Sequence, residues 1–265
     1  IDDLSDNPRQ FAKSIQLDPE PDSDTDPEEL DNFGLSVSLF GDLLAVGSPR
    51  ANGADHNQTG AVYLYGAENN GSSTYLAKVL ASDGAEDDEF GFSVSLSGNL
   101  LAVGAPRATG ADQNRTGATY LYQVESNGSA TYLAKLTAPD GVEDDEFGAS
   151  VSQSGDLLAV RAPARKATYL YQVESNGSAT YLAKLTPSDA DEVSKFGSSL
   201  SVFDDIVVVG AIEVGQECGE GVGAAYLYRM ENNGSATYLA KLTSPEGAAE
   251  GKMFADSLSV FDDIV

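Results

Sequence analysis

The chain repeats itself, and the repeat limits what it can fold into. Phe33-Gly34, Phe90-Gly91, Phe147-Gly148 and Phe196-Gly197 stand 57, 57 and 49 residues apart, and a degenerate fifth start, Phe254-Ala255, follows 58 residues later. Each of the four Phe-Gly starts leads into an apolar run ending in Gly-Ala-Pro or a variant of it. A period of about 50 residues made of short strands means a modular β architecture. Any activity then belongs first to loops displayed by a repeated scaffold, or to an assembly, before it belongs to one catalytic pocket.

The second copy shows the unit. Its apolar runs are Phe90 to Leu96, Leu100 to Ala105, Ala118 to Val124 and Ala130 to Leu136. Ser97-Gly98-Asn99 is expected to close the first hairpin and Ser126-Asn127-Gly128-Ser129 the third, with positive φ at both Asn127 and Gly128. The continuous run Leu100-Leu101-Ala102-Val103 suits an inner strand buried on both faces, whereas Ser93-Val94-Ser95-Leu96 alternates as a strand with one less buried face does. Gly104 suits a close backbone approach between units, and Pro106 stops the strand because it cannot donate to a ladder. Tyr120-Leu121-Tyr122 and Tyr132 to Leu136 read as the outer, amphipathic strands. The expected fold is therefore all-β, a β-propeller of four-stranded antiparallel blades.

The repeats run approximately over 33–80, 90–136, 147–185 and 196–242, with partial copies at 10–15 and 254–265: four complete blades and two partial ones. An acidic insertion occupies 18–31. Ala118 to Thr137 and Ala167 to Thr186 are identical over 20 residues, which implies recent duplication of whole blades. The third copy has lost most of the loop equivalent to Thr109 to Gly117 and carries Arg161 where its neighbours have Gly47 or Gly104, so that blade is expected to depart from the others. A propeller needs closure to remove its sheet edges, so further residues or partner copies are expected.

Charge narrows the partners. Lys and Arg number 15 against 42 Asp and Glu, a net charge of -27, so nucleic acid is excluded as a partner, since affinity there comes from neutralising phosphates. No apolar run is long enough for a helical membrane span, and Ile1 opens directly onto a polar segment without a visible signal peptide. The single cysteine, Cys218, excludes an internal disulfide framework and a multi-thiolate metal site.

These motifs resemble the FG-GAP repeat family, known from integrin α heads and from bacterial and algal surface proteins. Phe33-Gly34 goes with Gly47-Ser48-Pro49, Phe90-Gly91 with Gly104-Ala105-Pro106, Phe147-Gly148 with Arg161-Ala162-Pro163, and Phe196-Gly197 with Gly210-Ala211. The resemblance spans nearly all of 1–265 and implies one propeller, seven-bladed in the full-length protein, with an extracellular or cell-surface adhesive or structural role. It does not carry over the family's calcium site. The links Phe40-Gly41-Asp42, Ser97-Gly98-Asn99 and Ser154-Gly155-Asp156 are too short to supply the six to eight oxygens, roughly, that calcium takes.

Other residues suggest chemistry directly. Asp83, Glu86, Asp87 and Asp88 precede one Phe-Gly strand, and Asp140, Glu143, Asp144 and Asp145 the next. Carboxylates so crowded repel one another, and a divalent cation such as calcium would relieve the cost, although a solvated acidic loop explains them as well. Asp22, Asp24 and Asp26 form a second calcium candidate by projecting oxygens from one tight loop. Six N-glycosylation sequons begin at Asn57, Asn70, Asn114, Asn127, Asn176 and Asn233, all in expected turns or loops.

Catalysis finds little support. The one histidine, His56, sits in a variable loop, and no nucleophile elbow is present. Tyr63, Tyr65, Tyr120, Tyr122, Tyr169 and Tyr171 fit blade packing better than a carbohydrate surface. The reading is a non-enzymatic, glycosylated extracellular module presenting loops such as Ala51 to Gly60 and Ala108 to Gly117 to surface proteins, glycans or copies of itself. A carbohydrate-binding or carbohydrate-processing propeller and a calcium-dependent adhesion module are the alternatives.

Overall fold

The computed structural model describes residues 31–53, 58–67, 72–109, 114–187, 195–212, 223–244 and 254–260. Their strands form four antiparallel four-stranded sheets, each ordered as the chain runs. Blade one holds β1 (Ser36–Phe40), β2 (Leu43–Ser48), β3 (Ala61–Ala67) and β4 (Ser73–Val79), and blade two β5 (Ser93–Ser97), β6 (Leu100–Ala105), β7 (Ala118–Val124) and β8 (Ala130–Leu136). Blade three holds β9 (Val151–Ser154), β10 (Leu157–Ala162), β11 (Ala167–Val173) and β12 (Ala179–Leu185). Blade four holds β13 (Lys195–Phe203), β14 (Ile206–Ile212), β15 (Ala224–Met230) and β16 (Ala236–Thr243). The partial copy at 10–15 lies outside the described residues, while 254–260 sits against blade four where a fifth blade's first strand would begin.

The core lies between blades. Leu43, Ala45 and Leu64 of blade one share one apolar cluster with Val94, Leu96 and Leu101 of blade two. The next junctions repeat the pattern, joining Ala102 and Leu121 to Val151 and Leu158, and Ala159 and Leu170 to Val202 and Val207. Two-sided burial explains the continuous apolar runs of second strands: all six residues of β6 are buried. In blade two the third strand β7 is buried on both faces rather than amphipathic, and the fourth strand β8 is half exposed. Tyr63, Tyr65, Tyr120, Tyr122, Tyr169 and Tyr171 are all buried and so belong to blade packing.

In blade four Phe196-Gly197 lies within the first strand β13, as expected, but in blades two and three Phe-Gly precedes it. Phe90 forms a parallel bridge to Gly60 of the preceding blade, and Phe147 to Gly117. Its ring packs edge-on against its own blade's third strand, with Phe90 5.3 Å from Tyr120 and 6.0 Å from Tyr122. The phenylalanine thus fills the outer half of one blade while its backbone is tied to the one before.

The Asn-Gly hairpins also differ from expectation. Only the glycine takes a left-handed backbone, with φ of 84° at Gly128, 82° at Gly177 and 81° at Gly234. Gly128 N donates to Glu125 O at 2.8 Å and Glu125 N to Ser129 O at 2.9 Å, the pattern of a type I turn followed by a bulge. A second bulge skips one leucine in each fourth strand: Tyr122 faces Tyr132 and Leu121 faces Ala134, leaving Leu133 unpaired. That leucine reaches the next blade. A Cβ on Gly128 would stand 2.4 Å from Leu76 Cβ, and one on Gly177 2.4 Å from Leu133 Cβ, so each hairpin tip seats on the bulge leucine of the blade before it.

Candidate functional site

The polar chemistry of this chain concentrates where blades meet. The serines of each first strand point sideways into the next blade. Ser36 Oγ donates to Gly91 O at 2.9 Å, Ser93 Oγ to Gly148 O at 2.8 Å and Ser199 Oγ to Ala255 O at 2.8 Å. Two residues on, Ser38, Ser95, Ser152 and Ser201 Oγ accept from the backbone N–H of Leu96, Gln153, Val202 and Val260 at 2.9–3.0 Å. Ser97 and Ser154 extend the series to Gly155 and Asp204. The alternation Ser93-Val94-Ser95-Leu96 therefore marks no solvent face, because all four residues are buried. Valine and leucine enter the inter-blade core, and the serines satisfy backbone groups that neighbouring first strands leave unpaired.

This stitching needs a glycine opposite. A Cβ on Gly104 would lie 1.9 Å from Gly148 O and 2.3 Å from Ser93 Oγ, and Gly47 and Gly210 are equally confined. Blade three breaks the rule as expected: Arg161 occupies that place and its Nε donates to Phe196 O at 3.2 Å. The shortened loop after it forms a 3-10 turn, Pro163–Arg165, ending on Lys166 with φ of 47°.

The acidic loops are a second kind of joint. Asp140 accepts from Tyr169 Oη at 2.6 Å and from Lys184 Nζ at 2.7 Å, while Lys184 also lies 5.0 Å over the Tyr169 ring. Asp83 meets Lys135 at 2.7 Å in the equivalent clasp, with Lys135 5.0 Å over Tyr120, whose hydroxyl lies close by without a well-aligned hydrogen bond. The hydrogen bonds from Lys184 and Tyr169 hold Asp140 below its ordinary value, and Asp83 also falls because Lys135 and Tyr120 outweigh its burial. Asp88 and Asp145 are buried and accept from the backbone N–H of Ala85 and Val142. Burial raises Asp88, while Arg165 pairs with Asp145 at 3.0 Å.

The sequence candidates are thus dispersed rather than gathered. Among the described residues no three Asp, Glu, His or Cys side chains converge as a metal would require. Glu86, Asp87, Glu143 and Asp144 face solvent. Asp22, Asp24, Asp26, Asn57, Asn70, His56 and Cys218 lie outside the described residues. Burial pushes the phenols of Tyr120, Tyr122, Tyr169 and Tyr171 above their ordinary range, so none of them serves as a proton acceptor at neutral pH. Asn114, Asn127, Asn176 and Asn233 are exposed.

The serine series and the glycine opposite it escaped the sequence reading. The signal was present as Ser-x-Ser at a fixed distance after each Phe-Gly, but alternation alone does not tell a water-facing serine from one facing a backbone.

Antiparallel order gives the blades two distinct ends. Tight hairpins join the first to the second strand and the third to the fourth at one end. At the other lie the second-to-third loops and the acidic links. There Asp87 N donates to Gln58 O, Phe90 N to Thr59 O and Asp144 N to Arg115 O, so the acidic links are tied to the loops beside them.

Comparison with curated proteins finds no match by sequence. Among solved structures the chain resembles Sqt1 of Saccharomyces cerevisiae, with 10% identity and a TM-score of 0.47 over 81% of this chain and 48% of that one. It also resembles the Bombyx mori GH32 β-fructofuranosidase BmSUC1, with 12% identity and a TM-score of 0.48 over 77% and 47%. A third is the Pseudomonas aeruginosa periplasmic gluconolactonase PpgL, with 12% identity and a TM-score of 0.37 over 82% and 86%. The chain spans about half the length of the first two. The FG-GAP repeat profile matches residues 23–65, 74–122, 131–181 and 179–228. Its last three matches begin in β4, β8 and β12, so the family's unit straddles the junction where Phe-Gly, the serines and the acidic link all act. Covering most of its length in step with its blades, this match makes the chain a member of the FG-GAP repeat family.

Proposed function

We propose that this β-propeller-type module is non-enzymatic, works outside the cell or at its surface, and presents the loops of one end to a partner protein, a glycan or another copy. The carrying observation is the use made of its polar groups. The buried serines, Asp83, Asp140 and Asp145 join one blade to another rather than facing a shared cavity. The second-to-third loops stand at the opposite end from the tight hairpins, braced by the acidic links. Labelled full chain applied to arrayed extracellular-matrix proteins and glycans, with sedimentation for self-association, tests the reading. Gln58→Ala combined with Asn114→Ala should abolish whatever association is found while leaving the urea midpoint in place. Association that survives those changes would refute loop display, and turnover in a glycoside and lactone panel would refute a non-enzymatic role.

Carbohydrate binding is the second reading. Tyr132, Tyr181 and Tyr238 are 44–47% exposed at matched places on successive fourth strands, each beside an exposed threonine, and flat aromatic faces suit sugar rings. Glycan-array signal lost in Tyr132→Ala and Tyr181→Ala would favour it over the loops.

A further inference from the structure

We propose that Asn127, Asn176 and Asn233 are N-glycan attachment sites that remain open to modification on the folded protein, and that Asn114 is not. The turn explains two of the three residues in each sequon. Asparagine occupies the type I turn, with Oδ1 accepting from the N–H of Ser129, Ser178 and Ser235 at 2.9, 2.7 and 2.9 Å. Glycine supplies the left-handed φ and the close approach to the bulge leucine.

Nothing in the fold demands the serine side chain. The bond common to the three turns comes from the serine backbone, to which Ser235 adds its hydroxyl, and Ser129, Ser178 and Ser235 are exposed. Asn-Gly-Ser nevertheless recurs in every copy while its neighbours diverge. Val124 is matched by Met230 and Ala67, Ser126 by Asn232, and Ala130 by Ser73.

With Oδ1 engaged, Nδ2 is the amide atom left for attachment on these exposed residues; at Asn176 it makes a long, exposed hydrogen bond to Glu174 Oε2 at 3.4 Å, and at Asn233 the Ser235 hydroxyl also donates to Oδ1 at 2.7 Å. Attachment forms a bond from Nδ2 to the anomeric carbon of a lipid-linked oligosaccharide. The bond from that carbon to the pyrophosphate oxygen breaks, the lipid pyrophosphate leaves, and one Nδ2 proton passes to base.

Asn114 differs because its sequon partner is consumed by the fold. Thr116 is buried, its N–H donates to Asn114 O at 2.8 Å, and its hydroxyl faces Gly117 O at 3.3 Å. The three hairpins share the end opposite the second-to-third loops, so glycans there would fringe the molecule without covering the display end.

The full chain, carried by an added leader into the secretory pathway of eukaryotic cells, tests occupancy. Intact mass is read before and after N-glycosidase on both the secreted and the retained protein, with asparagine-to-aspartate conversion mapped on peptides. Conversion at all three hairpins is expected. Ser129→Ala, Ser178→Ala and Ser235→Ala together keep the backbone turn and should remove it. Unmodified hairpin asparagines in the parent chain, or conversion persisting in the serine variants, would overturn the proposal. Folded chain made in bacteria, given oligosaccharyltransferase and lipid-linked oligosaccharide, supplies the second arm. Acceptance at the hairpins and not at Asn114 is expected, and equal labelling of Asn114 would overturn the distinction.

Discussion

Blades two and three share an identical 20-residue stretch over their third and fourth strands, yet they meet the blade that follows in different ways. Blade two offers Gly104, and the backbones close until Ser93 Oγ reaches Gly148 O. Blade three offers Arg161, and a guanidinium reaches Phe196 O instead. The outer half of a blade is thus indifferent to how the inner half docks. A junction tolerates a different donor and a different carbonyl, Gly148 O in one case and the phenylalanine carbonyl Phe196 O in the other.

The largest expected effect comes from breaking the tighter junction. Gly104→Ala drives a Cβ into Gly148 O and should cost about 2–3 kcal/mol by urea denaturation. Arg161→Gly, the mirror change, should shift stability by about 1 kcal/mol or less, because the serine-to-carbonyl solution becomes open to that junction. A large loss at Arg161 would show that blade three has specialised rather than drifted.

Next is Ser95→Ala, which leaves the buried N–H of Gln153 without its acceptor and should cost about 1–2 kcal/mol. A smaller loss is expected from Asp140→Asn, about 0.5–1 kcal/mol after solvent screening of a clasp that is half exposed. Because Asp140 is held below its ordinary value of 3.8, the clasp contributes fully above that pH. Its contribution is lost as pH falls through the lowered value of the folded state, so acid unfolding curves of parent and variant should converge there. Asp88, raised by burial, works in the opposite sense: its contribution improves as pH falls through its folded value.

An effect of similar size should be a gain. Asp204 takes φ of 50° at the hairpin place where Gly155 has φ of 56°. Asp204→Gly should therefore stabilise blade four by roughly 0.5–1 kcal/mol, read as a rise in melting temperature. No gain would mean that the strain is relieved by its neighbours.

Much of the fold was legible because its signals are local. In the second copy the runs 100–105, 118–124 and 130–136 coincide with β6, β7 and β8, since strand period and turn residues are properties of a few neighbouring positions. The candidate site was less so. Asp83 and Asp140 stand in the sequence as crowded carboxylates, but their partners Lys135 and Lys184 lie 52 and 44 residues away. Charge density along a chain records repulsion among neighbours and is silent about cations that arrive from another blade.

The same limit governed exposure. Val37 and Leu39 occupy the places of Val94 and Leu96, yet the first pair is 63% and 61% exposed and the second 7% and 5%, because no described blade lies before blade one. The sequence by itself determined the repeat, the four strands of each unit and the places where the chain turns, all of which depend on short-range sterics and hydrophobic period. Only the tertiary structure decided that the alternating serines join blades, that the acidic loops are clasped by lysines, and that Phe-Gly belongs to two blades at once. Those roles depend on which backbone group or cation stands opposite, and that is settled only when one blade stacks on the next.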